Sequence, residues 1–334
     1  MGVLLCKYCL KNMKTFLKIS ILFAFTLLLA NCGPKNASVA EESAEVAKCN
    51  SIYYWKTTFE LSSAEVDFLA NHNVKRLYLR MFDVAVEQDF LNGVPEIVPI
   101  ATTKFVSEVP QEVEVVPVTY ITIEALRAMM GNEAEFAELI VDRLLAMASY
   151  NKCGNVKEIQ LDCDWTTSTK YSYDYLCQLV KERLDPDSIS VSSTIRLHQL
   201  NETAPPVDKG VLMLYNAGAL KDPDTTNSIL NIDDVKPYIK KTNYPIPLDY
   251  AYPVFGWGVK FENNKFLSIV SADEQAEAPQ HIRVERPTFS DIMAVKSLVE
   301  QNLGKPSRGS ILYHLDDSQL KYYCNDEISE IYNY

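Results

Sequence analysis

The chain has 334 residues, of which 47% are hydrophobic, and its 11 glycines and 16 prolines are too few for a disordered or fibrous protein. This length allows one large domain or two ordinary ones. The formal net charge of -12 and the pI of about 4.9 argue against nucleic acid or an anionic membrane surface as a partner, because both would repel the chain. A neutral ligand remains compatible with this charge.

The first 32 residues have the features of a targeting signal. After Met13, a basic start precedes an apolar run over residues 19–30, which is short for a membrane span. The run ends in Leu29-Ala30-Asn31-Cys32 and resembles a bacterial lipoprotein signal, in which the cysteine becomes the lipidated first residue. The resemblance implies lipidation at Cys32 and anchoring in the cell envelope, facing the periplasm or the cell surface. An uncleaved signal anchor is the alternative.

Residues 33–50 are polar, acidic and rich in Ala and Ser, which predicts a flexible tether before a folded domain over residues 51–334. No C-x-x-C pair follows Cys32, so we predict no metal site. The later cysteines allow at most two disulfides, and we expect Cys163 and Cys177 to pack as small apolar groups. No Gly-rich phosphate loop and no G-x-S-x-G elbow occurs, so a nucleotide enzyme or serine hydrolase is disfavoured and no cofactor is predicted.

Strand-like and helix-like segments alternate from residue 51 onward. A capping box at Ser62-Ser63-Ala64-Glu65 predicts the start of the first helix. The predicted strands are residues 51–59, 74–84, 113–122, 157–165, 188–197, 210–216, 247–252 and 309–315, and the predicted helices are residues 62–71, 133–150, 172–184, 232–241 and 289–303.

Eight strands joined mostly by helices predict an irregular (β/α)8 barrel of the TIM type, with an open doubly wound sheet as the alternative. The barrel is irregular because residues 87–112 have no clear helical stripe and residues 199–209 can hold only a short helix. Residues 252–287 form a long excursion after strand seven. Within it, residues 259–261 and 265–269 flank Asn263-Asn264, which predicts a hairpin insertion.

The fourth predicted strand has an acidic face that indicates a site. Ile159, Leu161 and Cys163 alternate with Gln160, Asp162 and Asp164, so one face is apolar and the other ends in two carboxylates. The carboxyl ends of barrel strands form the site in TIM barrels, and carboxylates beside aromatic rings suit a sugar. The candidate catalytic residues are Asp162, Asp164 and Asp316, and the candidate substrate-binding residues are Trp55, Arg80, Trp165, Arg196, His198, Asn216, Tyr252, Trp257 and His314.

Each candidate also has a structural interpretation. Arg80 and Arg196 can simply neutralise the two aspartates inside the barrel. His198 and His314 are more often core or rim residues than catalytic bases. Trp257 can cover an apolar flank of the barrel instead of stacking on a ligand.

The block from residue 158 to residue 196 resembles a group of uncharacterised secreted bacterial proteins that share a domain of unknown function. Their pattern is an I-Q-x-D-x-D strand, a helix ending in an R-L-P-like turn and a serine-rich strand. The corresponding residues here are Ile159-Gln160-Leu161-Asp162-Cys163-Asp164, Arg183-Leu184-Asp185-Pro186 and Ser190-Val191-Ser192-Ser193-Thr194, and Tyr53-Tyr54-Trp55 is similar to the group's first strand.

More distantly, the fourth strand is similar to that of the family-18 chitinases, TIM barrels in which a D-x-D-x-E run ends in the acid that protonates the glycosidic oxygen. Asp162 and Asp164 match the two aspartates, but Thr166 stands at the glutamate position. The resemblance implies a fold of the glycoside hydrolase type. Because threonine cannot supply the proton, either Asp164 acts as the acid itself or the protein binds a glycan without cleaving it.

Three functions follow from these patterns. The first is a lipid-anchored glycoside hydrolase with Asp164 as general acid, Asp162 or Asp316 as the second carboxylate, roughly 5 to 9.5 Å away. In it, Arg80 and Arg196 orient the carboxylates, and Trp165 and Tyr252 stack on sugar. The second is a non-catalytic glycan-binding lipoprotein, and the third is a structural envelope lipoprotein with a salt-bridged barrel interior. Arginines that seal both aspartates would favour the third.

Overall fold

The computed structural model describes residues 48–88, 93, 95–240 and 243–334. The predicted signal segment, Cys32 and nearly all of the predicted tether lie outside the described residues, so the predicted domain limits at residues 32 and 50 stay predictions. Within the described part of the chain, no helix is both long enough and apolar enough to cross a membrane.

Most of the strands are short, and those that form the barrel are largely buried. In chain order they are β1 Asn50–Tyr54, β2 Thr58–Phe59, β3 Val74–Gln88, β4 Pro95–Ile100, β5 Lys104–Phe105, β6 Glu114–Ile121, β7 Glu158–Asp162, β8 Ser190–Arg196, β9 Lys209–Met213, β10 Leu248–Pro253, β11 Trp257–Glu262, β12 Lys265–Val270, β13 Gln280–Glu285 and β14 Ser310–Tyr313.

Eight of these strands form a closed parallel barrel in the order β1-β14-β10-β9-β8-β7-β6-β3, and β3 pairs again with β1. In the register of the closing strands, Ile52 is paired with Leu312 on one side and with Leu77 on the other. The predicted TIM-type (β/α)8 fold is therefore confirmed, and the open doubly wound sheet is excluded. Closure brings the carboxyl ends of all eight strands to one face of the barrel.

Helices connect most of these strands, and their apolar stripes explain why they form. The helix Ser63–Asn71 begins at the predicted capping box, in which Ser62 and Glu65 each accept a hydrogen bond from the other's backbone N–H. The helix Glu133–Tyr150 buries Ile140 and Leu144 completely or nearly so, and each such side chain contributes roughly 1.5 to 3 kcal/mol. The other helices are Ile123–Ala128, Lys170–Leu184, Ile232–Val235, Phe289–Leu303, Asp317–Leu320 and Asn325–Tyr332.

The sequence predictions differ from the structure at three places. The first predicted strand is split into β1 and β2. The segment between the second and third predicted strands contains β4, which pairs antiparallel with an extension of β3, and the short strand β5. The predicted helix over residues 232–241 contains one α-helical turn, Ile232–Val235, followed by the 3-10 turn Lys236–Tyr238. Pro237 has no backbone N–H to continue the helical ladder, which explains the early end. Cys163 and Cys177 are fully buried, as predicted.

The excursion after β10 contains a three-stranded antiparallel sheet in the order β12-β11-β13. Glu285, at the end of β13, attaches this sheet to the segment after β9. Its buried carboxylate accepts hydrogen bonds from the Ser228 N–H (2.9 Å), the Ser228 hydroxyl (2.5 Å), the Trp257 indole (3.0 Å) and the Arg283 guanidinium (2.7 Å). Four donors on one carboxylate compensate for its loss of water.

A network of buried charges fills the amino end of the barrel. Glu158 accepts from Arg76 (3.3 Å) and lies 3.0 Å from the Lys209 ammonium, which is also 3.3 Å from Asp249. Arg76 also pairs with Glu114 at 2.8 Å. The side chains of Arg76, Glu158 and Asp249 are at most 3% exposed, so their charges depend on each other for stabilisation.

We predict that Glu158→Gln lowers the free energy of unfolding by about 3 kcal/mol, because Arg76 and Lys209 lose the anion they share. Urea denaturation of the purified protein measures this difference. Glu138→Gln is the matched control, because Glu138 pairs with Arg183 on an exposed surface and its loss changes stability by less than about 1 kcal/mol. Equal effects of the two substitutions would contradict a stabilising buried network.

We predict that Glu285→Gln loosens the inserted sheet while leaving the barrel intact. The amide cannot accept all four hydrogen bonds, so amide hydrogen exchange over residues 257–285 accelerates about tenfold or more. Glu274→Gln is the control, because Glu274 lies in the same insertion, its side chain is 39% exposed, and it forms an ion pair with Lys260. Unchanged exchange in the Glu285 variant would show that other contacts hold the sheet.

Candidate ligand-binding cleft

The acidic end of β7 is organised by one arginine from the neighbouring strand. Arg196, the last residue of β8, donates from Nη2 to Asp162 (3.2 Å) and from Nε to Asp164. The Thr194 hydroxyl donates to the same Asp162 oxygen at 2.5 Å. Burial raises the pKa of Asp162, and the ion pair with Arg196 and the Thr194 hydrogen bond oppose that rise. Asp162 is thus the buried carboxylate of a network of four residues.

Asp164 differs from Asp162 in its exposure. Its side chain is 42% exposed, whereas that of Asp162 is 3% exposed. The Tyr120 hydroxyl lies 3.5 Å from the second Asp164 oxygen. Burial and the nearby carboxylates raise the pKa of Tyr120, so its phenol keeps its proton and donates. Arg196 therefore seals one aspartate and leaves the other open to a ligand.

Asp164 lines a cavity of about 280 Å³ between the ends of β7, β8 and β9. Four predicted site residues meet there, since the wall consists of Asp164, Arg196, Leu197, His198, Tyr215, Asn216, Ala217 and Tyr238. His198 is exposed and lies in the 3-10 turn Leu197–Asn201, which Gln199 holds by accepting from the Arg196 N–H at 2.8 Å. Asn216 is exposed in the left-handed region, with φ of 55°.

A cluster of aromatic rings lies at the same end of the barrel. The ring of Tyr313 is 4.7 Å from that of Tyr215, 5.6 Å from that of Phe255 and 5.9 Å from that of Trp55. Trp257 extends the cluster at 5.4 Å from Phe255. The two tryptophans and Tyr313 are half-buried, so parts of their rings stay available to a ligand. The sequence analysis missed Tyr313, although it is the last residue of β14 and directly precedes His314.

Two of the predicted stacking residues are inaccessible. Trp165 is 1% exposed, with its ring 6.2 Å from Tyr173 and 4.8 Å from the Lys170 ammonium. Tyr252 is 0% exposed. The prediction that Trp165 and Tyr252 stack on a sugar is therefore wrong, because both rings belong to the packed core around the strands.

Arg80 does not orient the acidic pair as predicted. It forms an ion pair with Asp83, three residues later on β3, and donates to the Trp55 carbonyl at 3.3 Å. Its guanidinium also lies 5.4 Å from the centre of the Trp55 ring. Arg80 and Trp55 thus form one side of the barrel mouth, and of the two predicted arginines Arg196 is the one that contacts Asp162 and Asp164.

Asp316 and His314 belong to a separate group of charges. Asp316 caps the helix Asp317–Leu320 by accepting from the Ser318 N–H at 3.1 Å, and it lies 3.7 Å from Lys56. Lys56 is bonded to the buried Glu65 at 2.7 Å, so its ammonium neutralises these carboxylates. Burial lowers the pKa of His314 to about 4, which keeps its imidazole neutral near pH 7.

Thr166, at the position of the chitinase glutamate, is part of a turn. Its N–H donates to the Thr169 hydroxyl at 3.0 Å, and its own hydroxyl is 3.0 Å from that of Ser168. A hydroxyl used in this way supplies no proton to a glycosidic oxygen. The acid predicted at Asp164 would have to work while its carboxyl group is bonded to the Arg196 guanidinium.

No protein-family model and no curated protein matches the chain. Solved structures do match its fold. The spore cortex-lytic enzyme SleL of Bacillus megaterium QM B1551 has a TM-score of 0.54 and 14% identity, over 86% of this chain and 75% of that chain. A chitinase from Chromobacterium violaceum ATCC 12472 has a TM-score of 0.52 and 12% identity, over 83% of this chain and 98% of that chain.

A third solved structure contains a sugar. A mutant of catalytic domain 2 of the Ostrinia furnacalis Group II chitinase, in complex with (NAG)5, has a TM-score of 0.50 and 13% identity, over 86% of this chain and 95% of that chain. At such low identities these likenesses establish the fold and no activity. The chain therefore has a TIM-type barrel similar to those of glycoside hydrolases.

Proposed function

We propose that this protein binds a glycan in the cleft at Asp164 and does not hydrolyse it. The observation that carries the proposal is the shared bonding of Arg196 to Asp162 and Asp164, beside an open cavity whose wall is polar and aromatic. The arrangement supports recognition of hydroxyl groups and disfavours acid catalysis.

Most glycoside hydrolases use two carboxyl groups, one of which holds a proton at the working pH and acts as the acid. Asp162 is buried under Arg196 and Thr194, and Asp316 is bound to a helix start and to Lys56. Asp164 is accessible, but one of its carboxyl oxygens is bonded to Arg196. The predicted partners of Asp164 are therefore engaged in structural contacts.

Glycan binding needs hydrogen-bonding groups beside an aromatic surface, and the cleft has both. Asp164, His198 and Asn216 offer polar groups to sugar hydroxyls, and Tyr215 and Tyr238 complete the wall. Tyr215 joins this wall to the ring cluster of Tyr313. The complex of a similarly folded chitinase with (NAG)5 supports a carbohydrate ligand for this chain.

A glycoside hydrolase remains the second candidate function. The 42% exposure of the Asp164 side chain and its contact with the protonated Tyr120 phenol favour it. In that case Asp164 would donate the proton after rearrangement of Arg196.

We also propose that Cys32 carries a lipid that holds the protein in the cell envelope, facing the periplasm or the cell surface. The apolar run over residues 19–30 and the Leu29-Ala30-Asn31-Cys32 ending support this anchor. A single chain gives only weak membrane binding, so stable anchoring needs more than one acyl chain. The glycan-binding cleft would then work close to a membrane.

We expect the purified protein to bind at least one oligosaccharide of a panel that includes N-acetylglucosamine and glucosamine oligomers, and to release no products. Asp164→Asn should weaken this binding about three- to tenfold, because charge-assisted hydrogen bonds to hydroxyls become neutral ones. Calorimetric titration and mass spectrometry of the incubated sugar measure the two effects.

Asp142→Asn is the matched control, because Asp142 pairs with Arg183 on the outer surface, at 65% side-chain exposure. It should bind like the unaltered protein. Products that appear with the unaltered protein and vanish with Asp164→Asn would establish the hydrolase instead. No binding to any member of the panel would favour the structural envelope protein.

We expect Cys32→Ser to abolish labelling by an alkyne fatty acid in bacterial cells and to move the protein to the soluble fraction, because lipidation needs the thiol. Cys49→Ser is the control and should keep both the label and the membrane association. Labelling that persists in the Cys32 variant would contradict the anchor, whereas membrane association without any label in the unaltered protein would point to an uncleaved signal.

A further inference from the structure

We infer that the glycan recognised in the cleft carries a protonated amine, and that it is a 2-amino sugar without an N-acetyl group. The inference rests on the proposed glycan binding and concerns the class of sugar. It follows from the charges of Asp162, Asp164 and Arg196, which do not balance.

The three groups form one cluster with two acidic side chains and one basic side chain. Arg196 bonds to both aspartates, so a single positive charge is divided between two negative ones. In each hydrogen bond to these two side chains, the carboxylate oxygen accepts and Arg196, Thr194 or Tyr120 donates. The cluster therefore contains one more acidic side chain than basic side chains, and none of these hydrogen bonds requires either aspartate to hold a proton.

The other cations near the strand ends are already paired. Among the residues that the structure describes there, Arg80 is bonded to Asp83, Lys56 to Glu65 and Lys170 to Asp174. Of the residues that line the cavity, Arg196 is the single permanent cation. The excess charge of the cluster is thus left for the ligand to neutralise.

The accessible part of this negative charge lies on Asp164. Its side chain is 42% exposed to the cleft, compared with 3% for Asp162, and its contact with Tyr120 is long at 3.5 Å. An ammonium group has three donors and suits such a half-open carboxylate. The carboxylate of a uronic acid would be repelled by Asp164 and by the overall negative charge of the protein, which is -12.

An exposed ion pair at about 4 Å in water is worth roughly a fivefold change in affinity. The test compares three pentamers by calorimetry at low salt: glucosamine, N-acetylglucosamine and galacturonic acid. The glucosamine pentamer should bind about fivefold tighter than the acetylated one, and the uronic acid should bind most weakly. Added salt at about 0.5 M should remove the preference for glucosamine and leave the acetylated pentamer unaffected.

Asp164→Asn should abolish the preference for the amine, and Asp142→Asn, on the outer surface, should keep it. Equal binding of the acetylated and unacetylated pentamers, or a preference that survives in Asp164→Asn or in high salt, overturns the inference but leaves glycan binding in place. Binding of pentalysine as tight as that of the glucosamine pentamer also overturns it, because the cleft would then recognise a positive charge whether or not a sugar carries it. No binding of any pentamer overturns both proposals.

Discussion

The interior of this barrel is built under one constraint, which is that a buried charge has to be paired. At the amino end of the strands, Arg76, Glu158 and Lys209 satisfy this constraint with each other, and Asp249 completes the set. At the carboxyl end of the strands, Arg196 forms ion pairs with both Asp162 and Asp164. An incomplete network would leave an uncompensated charge in a poorly solvated place, which is strongly destabilising.

The constraint supports the proposal that a strand end with a catalytic appearance binds a ligand. Asp162 is the last residue of β7 and Asp164 follows it by two residues, a spacing that suggests the paired carboxylates of a hydrolase. Their neighbour at the end of β8 is an arginine, and its guanidinium is bonded to both. With Thr166 used in a turn, the most direct use of the exposed Asp164 is to hold a ligand.

The inserted sheet gives the cleft a second source of rigidity. Glu285 ties β13 and Trp257 to Ser228 in the segment after β9, and the same segment supplies Asn216 and Ala217 to the cavity wall. Trp257 in turn touches Phe255, which packs on Tyr215 and Tyr313. The buried carboxylate of Glu285 therefore links the aromatic cluster to the segment that forms part of the cavity wall.

Local sequence patterns were sufficient to predict an α/β fold, because strand and helix periods that alternate along the chain are compatible with few architectures. They also placed Asp164, Arg196, His198 and Asn216 among the candidates at one face of a barrel, since all four lie at or just after strand ends. These conclusions depend on local patterns, which are readable along the chain.

The contacts of each of these side chains depend on tertiary packing. The pairing of β7 with β8, in which Leu161 is opposite Ser193, sets Arg196 against both aspartates, whereas β3 gives Arg80 a partner of its own in Asp83. Trp165 and Tyr252 are too buried to contact a ligand. Tyr313, which the sequence analysis missed, is half-buried and packs on Tyr215 of the cavity wall. Register, ion pairing and exposure depend on neighbours that are distant in sequence, and no local pattern records them.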